Sequence, residues 1–125
     1  MNRSDETNPA KPKSNAEIRI WYLDRVASIA ELNKQWIADG VSPRARAEAA
    51  WRIRREARLE ARSMMADPRE VELLRARDTS QYGNPEGPTF EFLVQRLRNA
   101  GLEGDAVYEA IVEGSYRTDP NIGGD

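Results

Sequence analysis

Arginine is concentrated in one stretch of the chain, AEAAWRIRREARLEARSMM, at residues 47–65. The stretch contains one tryptophan and five arginines, at positions 52, 54, 55, 58 and 62. A guanidinium group binds phosphate oxygens through two parallel N–H donors, and an indole ring stacks on a nucleobase. One interpretation is therefore a phosphate or nucleic-acid site, with these candidate ligands: Trp51, Arg54, Arg55, Arg58 and Arg62.

The arginines share one side of a predicted helix. Each helical residue turns by about 100° around the axis, so angles can be assigned from the sequence alone. With Ala50 at zero, the residues within roughly 60° of it are apolar and form the core face: Ile53, Ala57, Ala61 and Met64. A second row of residues, which we call the arginine stripe, is centred at about +110° by the same rule: Arg44, Trp51, Arg55, Arg58 and Arg62.

Most of these arginines have no acidic residue nearby on their own helix. No Asp or Glu lies three or four residues from Arg54, Arg55, Arg58 or Arg62. Residues 43–66 carry seven arginines and three glutamates, a net charge of +4, whereas residues 67–125 carry six arginines and twelve acidic residues, a net charge of −6. We therefore expect carboxylates of the C-terminal half to hold the arginine stripe. The acidic row formed by Asp105, Glu109 and Glu113 is the expected docking partner.

Three interpretations of the arginine stripe stay open from the sequence. The first is an internal or solvated charge arrangement, which the distribution of acidic residues favours. The second is an external phosphate or nucleic-acid site, which the formal net charge of −2 disfavours. The third is a docking face for an acidic partner protein.

Other residues with chemical potential lie in the C-terminal half. Asp105 and Glu109 are four positions apart and together could hold Mg²⁺, although this spacing is common on any solvated helix. The segment YGNPEGPT (82–89) has two glycines and two prolines, which is typical of a functional loop or of a shaped turn. Tyrosines in such loops more often pin the loop onto the core, but the loop candidates for substrate contacts are Tyr82, Asn84, Tyr116 and Arg117.

The composition excludes several kinds of chemistry. The chain has no cysteine and no histidine, so disulfides, thiol nucleophiles, zinc–thiolate sites and histidine general bases are absent. We expect no cofactor and no metal. No apolar run approaches the ~20 residues of a membrane span, and the first residues lack the apolar region of a secretory signal. We expect a cytoplasmic protein, or one delivered into a target-cell cytoplasm by a dedicated secretion system.

Helix-start signals predict an all-α fold, a compact single-domain bundle of five or six helices with short loops. Ser42, Asp67 and Thr89 are predicted N-caps. We expect a flexible leader at 1–14, a helical domain at 15–119 and a tail at 120–125.

The first helix has apolar residues at three- and four-residue steps along one face: Ile18, Tyr22, Val26, Ile29, Leu32 and Trp36. The tetrapeptide SIAE (28–31) has the form of a capping box, so this helix is expected to break near Ala27. The second helix is predicted to run to about Ala66, and Gly101 with Leu102 predicts a Schellman motif. The residues predicted to be buried are Trp36, Ile53, Leu93, Leu97 and Ile111.

Two runs, WIADGVSPRARAEAAWRIRREARLEARSMMADPREVELLRARD and YGNPEGPTFEFLVQRLRNAGLEGDAVYEAIVEGSYRTD, resemble the C-terminal toxin domains of bacterial polymorphic toxins, the Rhs-type effectors. The resemblance covers about residues 20–119. Such domains read Arg-His-x-Ala-Arg where this chain reads RREAR (54–58), so Arg55 stands in place of a histidine. If that histidine is catalytic, this copy is inactive, is a substituted form, or works by binding.

The resemblance implies interbacterial antagonism, a cognate immunity protein as partner, and a nucleic-acid target. One hypothesis is therefore a toxin or effector domain that acts on nucleic acid or is inactive. The alternative is a non-catalytic helical interaction protein, such as an immunity or adaptor module. The sequence leaves both hypotheses open. It also leaves open whether the chain is an enzyme.

Overall fold

The computed structural model describes residues 14–114, which form five α-helices and no strand. This architecture confirms the predicted all-α bundle with short loops. The helices are α1 (Asn15–Ala38), α2 (Pro43–Ser63), α3 (Pro68–Tyr82), α4 (Phe90–Asn99) and α5 (Ala106–Glu113). None of these helices is both long enough and apolar enough to cross a bilayer. Nearly all of the expected leader, the whole expected tail, Tyr116 and Arg117 lie outside the described residues.

Side-chain caps begin the first four helices. The Ser14 hydroxyl accepts from the backbone N–H of Glu17, whose carboxylate accepts from the Ser14 N–H, which completes a capping box. Ser42, Asp67 and Thr89 cap α2, α3 and α4, as their positions before helical patterns predict. Loss of such a cap typically costs ~0.5–2 kcal/mol.

Helix α1 is continuous, so the predicted break near Ala27 is wrong. The Ser28 hydroxyl does not cap a new helix but donates to the carbonyl oxygen of Arg25 at 2.7 Å. Such a bond to the preceding turn is made within a helix that continues. Glu31, the other half of the expected capping box, accepts from Lys34 at 3.2 Å.

The turn between α2 and α3 starts earlier than predicted. Helix α2 ends at Ser63 rather than near Ala66, and the Met64 N–H bonds back to the Ala61 carbonyl at 3.1 Å. Asp67 already has the extended backbone of an N-cap, with φ −96° and ψ 110°. The chain must therefore leave the helical path before Asp67 in order to start α3 in a new direction.

A Schellman motif ends α4, as predicted. The Leu102 N–H donates to the Leu97 carbonyl at 3.1 Å, and the Gly101 N–H donates to the Arg98 carbonyl at 3.0 Å. Gly101 has φ 107°, a conformation that favours glycine because it has no Cβ. The motif satisfies two of the carbonyls at the end of the helix.

The core forms where α2 packs against α1 and α5, with α4 closing one side. Leu93, Leu97 and Ile111 are buried in it, as predicted. Trp36 and Ile53 pack against the core but stay partly exposed, so the prediction that they are buried is wrong. Ile53 lies at the margin of the core face, and Trp36 lies in the last turn of α1, where one side of the helix faces solvent.

Candidate functional site

Asp78 of α3 is completely buried and is surrounded by arginines. Arg58 donates to its Oδ1 at 3.1 Å, and Arg62 donates to Oδ2. The Nη2 atom of Arg77 lies 3.5 Å from Oδ1. A carboxylate buried at this depth is stable only when cations and donors replace its water. Asp78 therefore fixes α3 against the arginine stripe of α2.

The rest of the arginine stripe contacts the segment that follows α3. Arg55 donates to the carboxylate of Glu86, in the connector between α3 and α4. Arg44 donates to Glu91 of α4 at 2.6 Å and to the Tyr108 hydroxyl at 3.4 Å. The hydrogen bond with Tyr108, followed by that with Glu91, raises the pKa of the Arg44 guanidinium above its ordinary value. These pairs are more exposed than the one at Asp78, so each holds the segment more weakly.

Trp51 turns towards the connector rather than away from the molecule. Its Nε1–H donates to the carbonyl oxygen of Pro88 at 2.9 Å, and its ring meets that of Phe90 edge to face at 6.0 Å. The guanidinium of Arg55 lies 5.9 Å from the centre of the indole ring. The indole therefore helps to hold the start of α4 on α2.

These contacts confirm that carboxylates of the C-terminal half hold the arginine stripe. The expected source of those carboxylates, the acidic row of α5, is wrong. Glu109 of that row pairs instead with Arg46, which lies on the other side of α2, at 2.9 Å and 3.3 Å. The Asp105 side chain makes no capping bond and is exposed. Helix α5 contacts the arginine stripe at Arg44 through Tyr108, whereas Glu109 of its acidic row faces the Arg46 side of α2.

Arg54 is buried and stabilises the end of α5. Its Nη1 donates to the Ile111 carbonyl at 2.6 Å, and its Nη2 donates to the Val112 carbonyl at 2.9 Å. A cation at these carbonyls also interacts favourably with the helix dipole. The structure therefore places this phosphate-site candidate inside the fold, apart from the arginine stripe.

The loop candidates within the described residues are packed into the fold. Tyr82 is buried, and its ring meets that of Phe92 edge to face at 5.7 Å. The side-chain oxygen of Asn84 accepts a hydrogen bond from the Glu86 N–H at 3.0 Å. The backbone carbonyl of Asn84 accepts a second one from the Gly87 N–H at 3.0 Å. The connector is therefore a shaped turn that orients Glu86 towards α2.

Asp78 is the residue that the sequence interpretation missed. The signal was present, because Val71, Leu74, Asp78 and Tyr82 recur at three- and four-residue steps on one face of α3. An aspartate within an otherwise apolar stripe must meet cations when the stripe packs. The sequence therefore marks Asp78 as a carboxylate that needs cations, but it does not say which helix supplies them.

A groove opens beside Asp78, between α1, α2 and α3. It encloses about 220 Å³ and has apolar walls with arginines around them. The apolar wall residues are Ile18, Tyr22, Ala61, Met65 and Leu74. The arginines that line it are Arg19, Arg58, Arg62 and Arg77. We call this feature the arginine-lined groove.

Helix α1 also presents a row of exposed residues that flanks its core face, and Ala27, Ala30 and Lys34 of this row line a groove shared with α2 and α5. The large members of the row are Ile20, Leu23 and Ile37, which are 62%, 45% and 55% exposed. The complete row, which we call the outer stripe of α1, is Ala16, Ile20, Leu23, Ala27, Ala30, Lys34 and Ile37. The sequence interpretation missed this row because it assigned α1 a single apolar face.

The carboxylates within residues 14–114 do not gather into a metal site: no group of three or more acidic residues could hold an ion. Glu109 of the proposed Mg²⁺ pair binds Arg46 through both oxygens.

Comparison of the chain with protein-family models, curated proteins and solved structures found no match.

Proposed function

We propose that this chain is a non-catalytic helical interaction module, which binds a helix of a partner protein along the outer stripe of α1. One observation carries the proposal: α1 has apolar side chains on a second, exposed face as well as on its core face. Ile18 and Ile29 on the inner face are buried, whereas Ile20 and Leu23 on the outer face are exposed. Exposed apolar residues that form a continuous row, rather than occurring singly, mark sites of protein association.

The spacing of the outer stripe matches that of a helix-packing seam. Its seven members alternate steps of four and three residues from Ala16 to Ile37, so the row repeats every seven residues. Such a repeat keeps one edge of a helix against a second helix over several turns. The three alanines of the row let a partner helix approach closely, and Lys34 is a polar position of the kind that sets register.

Charge beside the outer stripe favours a basic partner. Glu17, Asp24 and Glu31 are also seven residues apart and follow one edge of the row. In an antiparallel pair of two copies of this chain, these acidic edges would face each other and repel. In a parallel pair they would face Arg19, Val26 and Asn33, of which one is charged. A different protein, with lysine or arginine along the edge of its helix, fits better.

A designed helix tests this proposal directly. We expect a labelled peptide of about three heptads, with an apolar seam and lysines along its edges, to bind the protein in a fluorescence anisotropy titration. The double variant Ile20→Gln, Leu23→Gln removes two of the three large apolar side chains of the row. It should weaken binding by at least about tenfold, because a few large anchors dominate such interfaces.

Matched controls make the result specific. Leu73→Gln changes an apolar residue that is 70% exposed on α3, away from the outer stripe, and should leave binding unchanged. A peptide with glutamates in place of the edge lysines should bind more weakly than the lysine peptide. Equal binding of the two peptides, or equal loss in the Leu73 variant, would refute the proposed surface.

A second candidate function is the toxin or effector domain, acting on nucleic acid or in an inactive form. The observation that favours it is the arginine-lined groove, since arginines around a cavity attract anionic ligands. In this chain Arg55, which the resemblance puts in place of a histidine, donates to Glu86. Expression of the domain in a bacterial cytoplasm would distinguish the interaction module from an active effector: growth arrest supports the active effector, and normal growth excludes it. A cognate immunity protein would then be the natural partner to test.

A further inference from the structure

We propose that the arginine-lined groove binds a small amphiphilic anion, a carboxylate or phosphate head carried on a short apolar chain. The site is separate from the outer stripe of α1 and does not depend on the proposed partner. Its walls combine three helices, since Ile18 and Tyr22 come from α1, Ala61 from α2 and Leu74 from α3. The ligand would therefore contact all three helices at once.

The walls of the groove favour an apolar chain of limited length. Ile18, Tyr22, Ala61, Met65 and Leu74 supply its apolar lining. Its volume of about 220 Å³ lies below the ~300–1,000 Å³ that is usual for drug-sized ligands. A short aliphatic chain fits this volume and gains free energy by leaving water.

The charge around the groove favours an anionic head. Four arginines line it, and the described residues that line it include no aspartate or glutamate. Asp78, which does not itself line the groove, accepts hydrogen bonds from Arg58 and Arg62. These bonds fix the two arginines, so the wall that they form is ordered before a ligand binds. Arg77 is 44% exposed in its side chain, and Arg19 is also exposed. Both can turn their guanidinium groups onto a head group, and guanidinium binds carboxylate and phosphate bidentately.

Titration with octanoate, followed by two-dimensional amide NMR of the full chain, tests the proposal. We expect saturable shifts centred on Ile18, Tyr22 and Leu74. Acetate has the head without the chain, and octylamine has the chain with the opposite charge. Both should bind at least about tenfold more weakly, because each lacks one of the two kinds of contact. Octyl phosphate should bind in the same place as octanoate.

Three substitutions separate the groove from the rest of the surface. Arg77→Gln removes a head contact and Ala61→Met fills part of the cavity, and each should weaken octanoate about tenfold. Arg75→Gln, an exposed neighbour on α3 that does not line the groove, should have no effect. If Ala61→Met fails to fold, Arg19→Gln replaces it, because Arg19 is exposed on α1 and its loss leaves the core intact.

The decisive comparison is between the two surfaces of α1. The Ile20→Gln, Leu23→Gln variant should keep full octanoate affinity, even if it loses the partner peptide. Shifts spread along the outer stripe, equal affinity for octanoate and octylamine, or unchanged affinity in the Arg77 variant would each overturn the proposed site.

Discussion

Replacement of Asp78 by asparagine removes one negative charge from the best-buried polar position of the described chain. Asp78 is 0% exposed, and it accepts hydrogen bonds from Arg58 and Arg62 while Arg77 lies 3.5 Å away. Asparagine has nearly the same shape but one fewer acceptor oxygen and no charge. The arginines would then face each other without the carboxylate between them.

The expected loss of stability is large for a domain of this size. Breaking a buried ion pair by removing one partner costs ~3–5 kcal/mol, mostly because the other charge stays buried without compensation. The arginine side chains here are mostly buried but can move towards water, so we take the lower end, about 3 kcal/mol. The total free energy of unfolding of such a domain is ~5–15 kcal/mol. The variant should therefore fold, but with a clearly reduced free energy of unfolding.

Urea unfolding followed by far-ultraviolet circular dichroism measures this loss. With a slope of ~1–3 kcal/mol per M urea for a small protein, a loss of about 3 kcal/mol lowers the midpoint by about 1–3 M. Glu72→Gln is the matched control, because it removes one negative charge from an exposed position of the same helix. Its midpoint should stay within the error of the wild-type value.

The charge reversal Arg58→Glu probes the same contact from the side of α2. It places a second carboxylate beside Asp78, so it should destabilise the protein at least as much as Asp78→Asn. Unchanged unfolding of both variants would refute the conclusion that this cluster fixes α3 on α2. An unchanged melt of Arg58→Glu, combined with a salt-sensitive loss of binding to short DNA or RNA, would instead support an external phosphate site.

Two further substitutions test the packing of α4 in the core and the contact of Arg54 with the end of α5. Leu97→Ala should lower stability by ~2–5 kcal/mol, because Leu97 is buried in the core, and an unchanged melting temperature would show that the assigned face of α4 is wrong. Gly114→Ala should destabilise the end of α5 by about 1–3 kcal/mol, because a Cβ there would lie 2.6 Å from Nη2 of Arg54. Gly40→Ala has a similar φ with open space around it, so a loss as large as that at Gly114 would count against the proposed clash.

The sequence by itself determined where the helices begin and which residues form the arginine stripe. Ser42, Asp67 and Thr89 were recognisable as caps because a cap is a bond between a side chain and a backbone N–H two or three residues away. The stripe followed from the helical repeat alone. The excess of acidic residues downstream also predicted correctly that the arginines bind within the molecule.

The tertiary structure alone decided which carboxylates those are. Asp78 and Glu86 face the arginine stripe, whereas Glu109 meets Arg46 on the other side of α2. Sequence periodicity places a residue on a face of its own helix, but the helix that covers this face depends on how the connecting turns direct the chain. The same limit applies to the outer stripe of α1. Two apolar faces can be read from the sequence, but only packing decides which of them the core takes and which stays exposed.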